Sequence, residues 1–289
     1  MTHDPTDNQP AGYTPPAVWS PKASYAGTFG SINSHVSGAR FEHALPVGRH
    51  PFQLYSQGTP NGQKVTILLE ELLQAGHATA EYDAWLVNVF EGDQFGSGFV
   101  AINPNSKIPA LVDRTTEPET HVFESGSILV YLAERFGAFL PTEHGKRTQV
   151  FNWLMWQMGA APFVGGGLGH FLKYAPLKIE YAIDRYAMET KRQLHVLDTH
   201  LARHEFLAGD DYTIADMAVW PWYPESLYGV YGTAGFLGVS QYTHLLRWHR
   251  TIAARPAVAR GRVVNRINGE PGTMLRERHD ASDFQSLTP

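Results

Sequence analysis

The stretch Gln53-Leu54-Tyr55-Ser56-Gln57-Gly58-Thr59-Pro60-Asn61-Gly62-Gln63 passes from a short strand, through a turn, into a helix. Gly58, Pro60 and Gly62 punctuate the turn. From Gln63 onward Val65, Leu68, Leu69, Leu72 and Leu73 recur at spacings of three and four, laying one apolar stripe on a helix that ends near Gly76. Working outward, Glu81-Tyr82-Asp83-Ala84-Trp85-Leu86 is a second strand, followed by a polar, Gly-rich loop from Glu91 to Gly98. Pro109-Ala110-Leu111-Val112-Asp113 and His121-Val122-Phe123-Glu124 are short strands around a charged, turn-rich segment and form a hairpin-like pair. A further helix begins at Ser125, with Ile128, Leu129, Leu132, Ala133 and Phe136 on one face and Gly137 as its stop. The order is βαβ followed by ββα.

Residues 1–50 carry Pro, Gly, Ser, Thr and His without a periodic apolar pattern and read as an extended arm. Residues 51–140 form the α/β domain, and after a linker around Ala138 to Lys146 residues 146–289 read as all-α. Trp153, Leu154 and Trp156 begin a buried helix, and Ile183, Ala187, Leu194, Leu197 and Leu201 mark a long amphipathic one. Thr213-Ile214-Ala215-Asp216 has the shape of a capping box with Asp as its acid. A last helix runs from about Tyr242 to Ala254 and breaks at Arg255-Pro256, and a polar tail with Arg260, Arg262, Arg266, Arg276 and Arg278 is expected to lie solvated across the active-site rim.

Composition narrows the chemistry. With 43% hydrophobic and 18% charged residues in 289, the chain is an ordinary folded protein. Zero Cys removes disulfides, thiolate metal sites and cysteine nucleophiles together, so any sulfur redox chemistry needs a borrowed thiol. A net charge of −5 gives no nucleic-acid footprint. No apolar run approaches the roughly 18 residues of a membrane span, and the N-terminus, with Arg40 as its first Arg, reads as neither a secretory nor a transit signal, so a cytosolic protein is expected. The fourteen His show no metal-binding spacing, and no metal is expected.

Three pieces carry the site. Asn61 in Thr59-Pro60-Asn61 can cap the following helix and leave its first N–H groups facing the loop. In Asn105-Ser106-Lys107-Ile108-Pro109 a cis bond would turn the Ile108 backbone outward toward an extended ligand, an ordinary trans turn being the default. Glu124-Ser125 offers a hydroxyl and helix N–H groups to a carboxylate and a counter-charge to an ammonium, which suits one end of an amino acid. Each piece alone reads as a cap or a turn; in this order they outline a groove along a sheet edge. Gly165-Gly166-Gly167-Leu168-Gly169 fits no phosphate loop and reads as close packing or a ligand-facing turn between helices.

These pieces, with Glu124-Ser125-Gly126-Ser127-Ile128 and Asp216, resemble the cytosolic glutathione transferases over about residues 53–260. More narrowly, Ser31-Ile32-Asn33, Ser97-Gly98-Phe99, the triple glycine and Arg278-His279-Asp280-Ala281-Ser282-Asp283-Phe284 resemble the bacterial nu class, described as disulfide-bond oxidoreductases, over nearly the whole chain. The resemblance implies a thioredoxin-like domain followed by a helical domain, a homodimer, and glutathione lying along the Ile108-Pro109 edge. It further implies that Glu124 and Ser125 hold the γ-glutamyl end, that Ile108 pairs with the cysteinyl unit, and that Lys107 and Gln94 approach the glycyl carboxylate. Thr59 and Asn61 would face the sulfur, replacing the Tyr, Ser or Cys of other classes, and Pro60 between them would contact glutathione. Lowering a thiol pKa by about two units needs roughly 2.7 kcal/mol, within reach of two or three aimed hydrogen bonds. Tyr55 competes as a sulfur donor but, inside the strand, reads as core.

The nu class also implies a second glutathione, touched by Asn33 and Arg185, a surface ion pair being the other reading of Arg185. Met158 stands where the resemblance puts Gln, which places that second site in question. The implied activity is glutathione-dependent reduction of small disulfides, with organic hydroperoxide reduction as a companion. The alternatives are a conventional transferase acting on electrophiles and a glutathione-binding module without catalysis.

Overall fold

The computed structural model describes residues 14–21, 35–228 and 232–287. Its sheet has the order β2-β1-β3-β4. Strand β1 (Phe52–Ser56) runs parallel to β2 (Tyr82–Leu86) and antiparallel to β3 (Ala110–Asp113), which pairs antiparallel with β4 (Thr120–Phe123). Alternation along the strands separates two cores. Leu54, Leu111 and Val122 join the main core with helix α1 (Pro60–Gln74) and helix α3 (Ser125–Phe136), whereas Tyr55, Ala110 and Val112 face Phe99 and Ile102 of helix α2 (Ser97–Ile102).

Helix α1 starts at Pro60, three residues before the expected Gln63. Thr59, rather than Asn61, is its cap: the Thr59 hydroxyl accepts from the Gly62 N–H at 3.3 Å, and Pro60 occupies the first turn, where a missing N–H costs nothing. A Cβ on Gly62 would stand 2.0 Å from the Gln57 carbonyl oxygen, so only glycine lets the helix start this close to β1. Helix α2 falls at the end of the segment read as a loop; six residues are too few to display a period.

The helical half opens with α4 (His144–Pro162), which continues as a π-wound segment over Phe163–Tyr174. The glycine run is therefore helical and not a turn. A Cβ on Gly167 would lie 2.3 Å from the Tyr186 ring, which fixes close packing against α5 (Glu180–Leu201) as the reason for that glycine. Helix α6 (Ile214–Val219) carries the expected capping box between Thr213 and Asp216. Short helices α7 (Ser226–Tyr228) and α8 (Ala234–Leu237) precede α9 (Thr243–Ala253). The expected break at Arg255-Pro256 is present, with Arg255 extended, but the chain does not stay irregular beyond it: Pro256 opens α10 (Pro256–Gly261), whose end packs on α1 through a Thr66 hydroxyl bond to the Gly261 carbonyl at 2.7 Å.

The tail is likewise not solvated along its length. Arg255 and Arg260 pair with Glu71 and Glu70 of α1 at 2.6 and 2.8 Å. Arg278 is 1% exposed; it reaches Glu81 at 2.6 Å and the Tyr82 carbonyl at 2.8 Å, and its backbone bridges Ala84. This segment covers the outer edge of β2, which would otherwise present unpaired backbone groups. At the other end of the chain, Arg40, Phe41 and His43 hydrogen-bond along residues 95–98, so that part of the arm is docked. Among the described residues no helix is long and apolar enough to cross a membrane.

Candidate functional site

A cleft of about 750 Å³ opens between the β1–α1 turn, the segment leading into β3, the start of α3 and the π-wound helix. Thr59, Pro60, Asn61, Gln94, Lys107, Ile108, Glu124 and Ser125 all line it. Arg185 does not; it stands exposed on α5. Asn33 lies outside the described residues.

The β1–α1 turn presents donors. The Thr59 hydroxyl oxygen accepts from Gly62, which leaves its own O–H to donate. The Asn61 side-chain oxygen accepts from Trp222 Nε1 at 3.0 Å, so the donor it offers is its N–H₂ group. Both sit at the N-terminus of α1, where the helix dipole favours an anion. Tyr55 cannot serve as the sulfur donor, because it is 2% exposed and donates to the Pro46 carbonyl at 2.7 Å, and burial pushes its hydroxyl up to about 12.

The Ile108-Pro109 bond is cis, not the default trans. Asn103, on which the sequence pattern is silent, fastens this segment: its side-chain N–H₂ donates to the Lys107 carbonyl at 2.6 Å and its oxygen accepts from the Asn105 N–H at 2.9 Å. Asn105 in turn donates to Glu124 Oε1 at 3.2 Å. Glu124 has φ 69° and ψ 122°, a strained conformation that L-residues rarely adopt, at the entry to α3 where its side chain lines the cleft. The buried Gln94 carries a side-chain oxygen without a hydrogen-bond partner among the described residues.

Beneath Ser125 lies a second unforeseen layer. Lys64 is 1% exposed and donates to Gln157 Oε1 at 2.6 Å and to Ser125 Oγ at 3.3 Å. Burial holds its ammonium well below the usual lysine range, with Glu124 opposing the shift. The signal for it in the sequence is spacing, since Lys64 precedes Leu68 by four and lies on the apolar stripe. Met158 and Gln157 line a further cavity of about 650 Å³ that shares Asn61, Glu124, Ser125, Gly166 and Trp222 with the first. Facing the polar wall across the cleft are Gly165, Gly166, His170, Phe171 and Tyr174. Among the described residues no group of three or more His, Asp or Glu is placed to hold a metal.

The sequence matches the glutathione S-transferase N-terminal domain over residues 50–134 and the glutathione S-transferase C-terminal domain over residues 173–256. An Escherichia coli protein named disulfide-bond oxidoreductase YghU is 61% identical over 284 residues, 98% of each chain. The chain belongs to the glutathione S-transferase family. Within it, the crystal structure of glutathione transferase YghU from Streptococcus pneumoniae, complexed with glutathione, superposes with a TM-score of 0.86 at 54% identity, covering 89% of this chain and 100% of that one. A Pseudomonas putida glutathione transferase, with one glutathione disulfide bound per subunit, matches with a TM-score of 0.69 at 37% identity over 74% of this chain and 93% of its own. The four-stranded α/β half and the helical half are thus the two parts of a glutathione S-transferase.

Proposed function

We propose that this protein reduces small organic disulfides with glutathione. The observation that carries the reading is a turn of hydroxyl, amide and helix N–H donors, facing a cleft in a chain without Cys. Such a turn stabilises a bound thiolate and has no protein sulfur to offer. A glutathione thiolate attacks one sulfur of the substrate, forming a glutathionyl mixed disulfide and expelling one thiolate. A second glutathione thiolate attacks the glutathionyl sulfur, giving oxidised glutathione and the second substrate thiolate. Two glutathiones thereby supply the two electrons that reduce one disulfide. The disulfide-oxidoreductase name of the E. coli relative and the glutathione disulfide held by the P. putida relative support this direction.

In this reading Glu124 and Ser125 hold the γ-glutamyl end, Ile108 the cysteinyl backbone, and Lys107 with Gln94 the glycyl carboxylate. Thr59 and Asn61 serve the sulfur from the turn around Pro60, while Asn33 and Arg185 contact the second glutathione. The protein works as a cytoplasmic homodimer, residues 51–140 binding glutathione and residues 146–289 closing the cleft, and organic hydroperoxides are a companion substrate.

The deciding experiment is NADPH consumption coupled through glutathione reductase, with bis(2-hydroxyethyl) disulfide as substrate and the uncatalysed exchange subtracted. A rate above background is expected. Glutathione binding with no excess rate overturns the reductase reading in favour of electrophile conjugation or a binding module.

A further inference from the structure

A third cleft, of about 480 Å³, lies on the far side of the β1–α1 turn. It shares Gln57, Thr59, Pro60, Phe90 and Tyr174 with the first, so the two meet at the turn that faces the sulfur. Its remaining wall is different in kind. Lys173, Arg262 and Arg266 line it, and among the described residues no Asp or Glu does, although the chain as a whole carries −5.

These cations are held in register with the turn. The Gly58 N–H donates to the Asn265 carbonyl at 2.7 Å, and a Cβ on Gly58 would stand 2.9 Å from Arg266 Cα. Asn265 is fully buried and its side chain donates to the Ala84 and Arg276 carbonyls at 3.2 and 2.9 Å, fixing this segment to β2. The Arg266 side chain is itself braced, Nε donating to the Asn268 carbonyl at 2.7 Å. The Arg262 guanidinium lies 5.7 Å from the centre of the Trp220 ring.

We propose that this cationic cleft selects disulfides whose substituents carry carboxylates. The proposal rests on the disulfide-reductase reading and names its substrate class. A disulfide attacked by a thiolate at Thr59 and Asn61 has one substituent directed away from the attacking sulfur, past Pro60, where the planar guanidinium groups match a carboxylate. The electrons still come from two glutathiones, and the products are oxidised glutathione and two carboxylate-bearing thiols.

The experiment compares kcat/KM for 3,3′-dithiodipropionate, bis(2-hydroxyethyl) disulfide and cystamine at saturating glutathione, in the wild type, in Arg262→Gln/Arg266→Gln and in Lys173→Gln. Lys173 is exposed, so its substitution does not threaten folding. The wild type is expected to favour the dianion over the dication by about tenfold or more, the double variant to lose about tenfold of that ratio, Lys173→Gln to lose less, and added salt to compress the ratio. In parallel, calorimetry measures binding of the unreactive thioether 3,3′-thiodipropionate to the glutathione-loaded protein. Reduction of all three disulfides with no charge preference overturns the proposal and leaves the reductase reading standing. Thioether binding that needs the arginines, with no disulfide reduced, overturns the reductase reading and the substrate assignment with it.

Discussion

The two walls of the main cleft are made by opposite means. The α/β wall offers short polar groups at backbone ends: Thr59 and Asn61 at the start of α1, the Ile108 backbone, and Ser125 at the start of α3. Two of them are braced by a buried polar neighbour, Asn103 holding the Lys107 carbonyl beside Ile108 and Lys64 lying behind Ser125. The helical wall offers glycine and aromatic rings on a wide-wound helix, with Phe171 stacked on Tyr186 at 5.7 Å. A wall of fixed donors suits a ligand that never changes, and a wall of rings and bare backbone suits one that does.

The contrast can be broken most severely at the support of the helical half. Asp216 is fully buried and accepts from the Leu207 N–H, the Thr213 N–H and Trp248 Nε1 at 2.9, 3.0 and 2.9 Å. Asp216→Ala leaves those donors unsatisfied and is expected to cost about 3–5 kcal/mol in a urea melt. Burial pushes the Asp216 carboxyl from 3.8 up to about 6, the bonds from Leu207, Trp248 and Thr213 opposing. A folded state that holds its proton more tightly gains stability below about pH 4 and loses that gain as pH rises through about 6. Asp216→Asn should therefore flatten the stability profile between those limits; a profile parallel to the wild type would refute the assignment.

On the α/β wall, Lys64→Met strips the donor from Gln157 and Ser125 and is expected to cost about 1–3 kcal/mol, with weaker glutathione binding by calorimetry. Unaltered affinity would show that Ser125 needs no brace. Asn61→Ala should raise the thiol pKa of bound glutathione by about one unit, or about 1.4 kcal/mol, read by thiolate absorbance across pH. The smallest effect belongs to Trp222→Phe, which removes a hydrogen bond from the helical half to the β1–α1 turn and should cost about 1 kcal/mol. A double-mutant cycle with Asn61→Ala sharpens the comparison: coupling is expected, and strict additivity would mean that the two halves act independently.

What the sequence discloses is what short-range chemistry decides. The stripe and stop glycine of α3 and the box at Thr213 and Asp216 depend on residues within a turn or two of each other, and all appear as expected. The start of α1 differs from expectation because Thr-Pro-Asn-Gly satisfies a turn and a helix entry equally, and only packing against Gln57 chooses. Thr59, Pro60, Asn61, Ile108, Glu124 and Ser125 are legible as a groove because strand–turn–helix order itself brings strand ends together, whereas Gln94 and Lys107, which also line the cleft, are expected from the family resemblance alone. Gln157 and Asn103 are not legible, since each acts through a partner rather than through the cleft, and Lys64 leaves only the trace of a charged residue on an apolar stripe. The tail departs from its solvated reading for a related reason: Arg278 finds its partners at Glu81 and Tyr82, and no local pattern announces a contact across 196 positions.

That contact also sets an order of events during synthesis. Strand β2 leaves the ribosome long before the segment that covers its outer edge, and at about 5–20 residues per second the delay is roughly 10–40 s. For that interval the nascent sheet carries an open edge able to pair with other chains. The segment around Arg278 is therefore the step that seals a domain whose core was translated much earlier, and a ribosome stalled before Arg278 would hold a sheet with its edge bare.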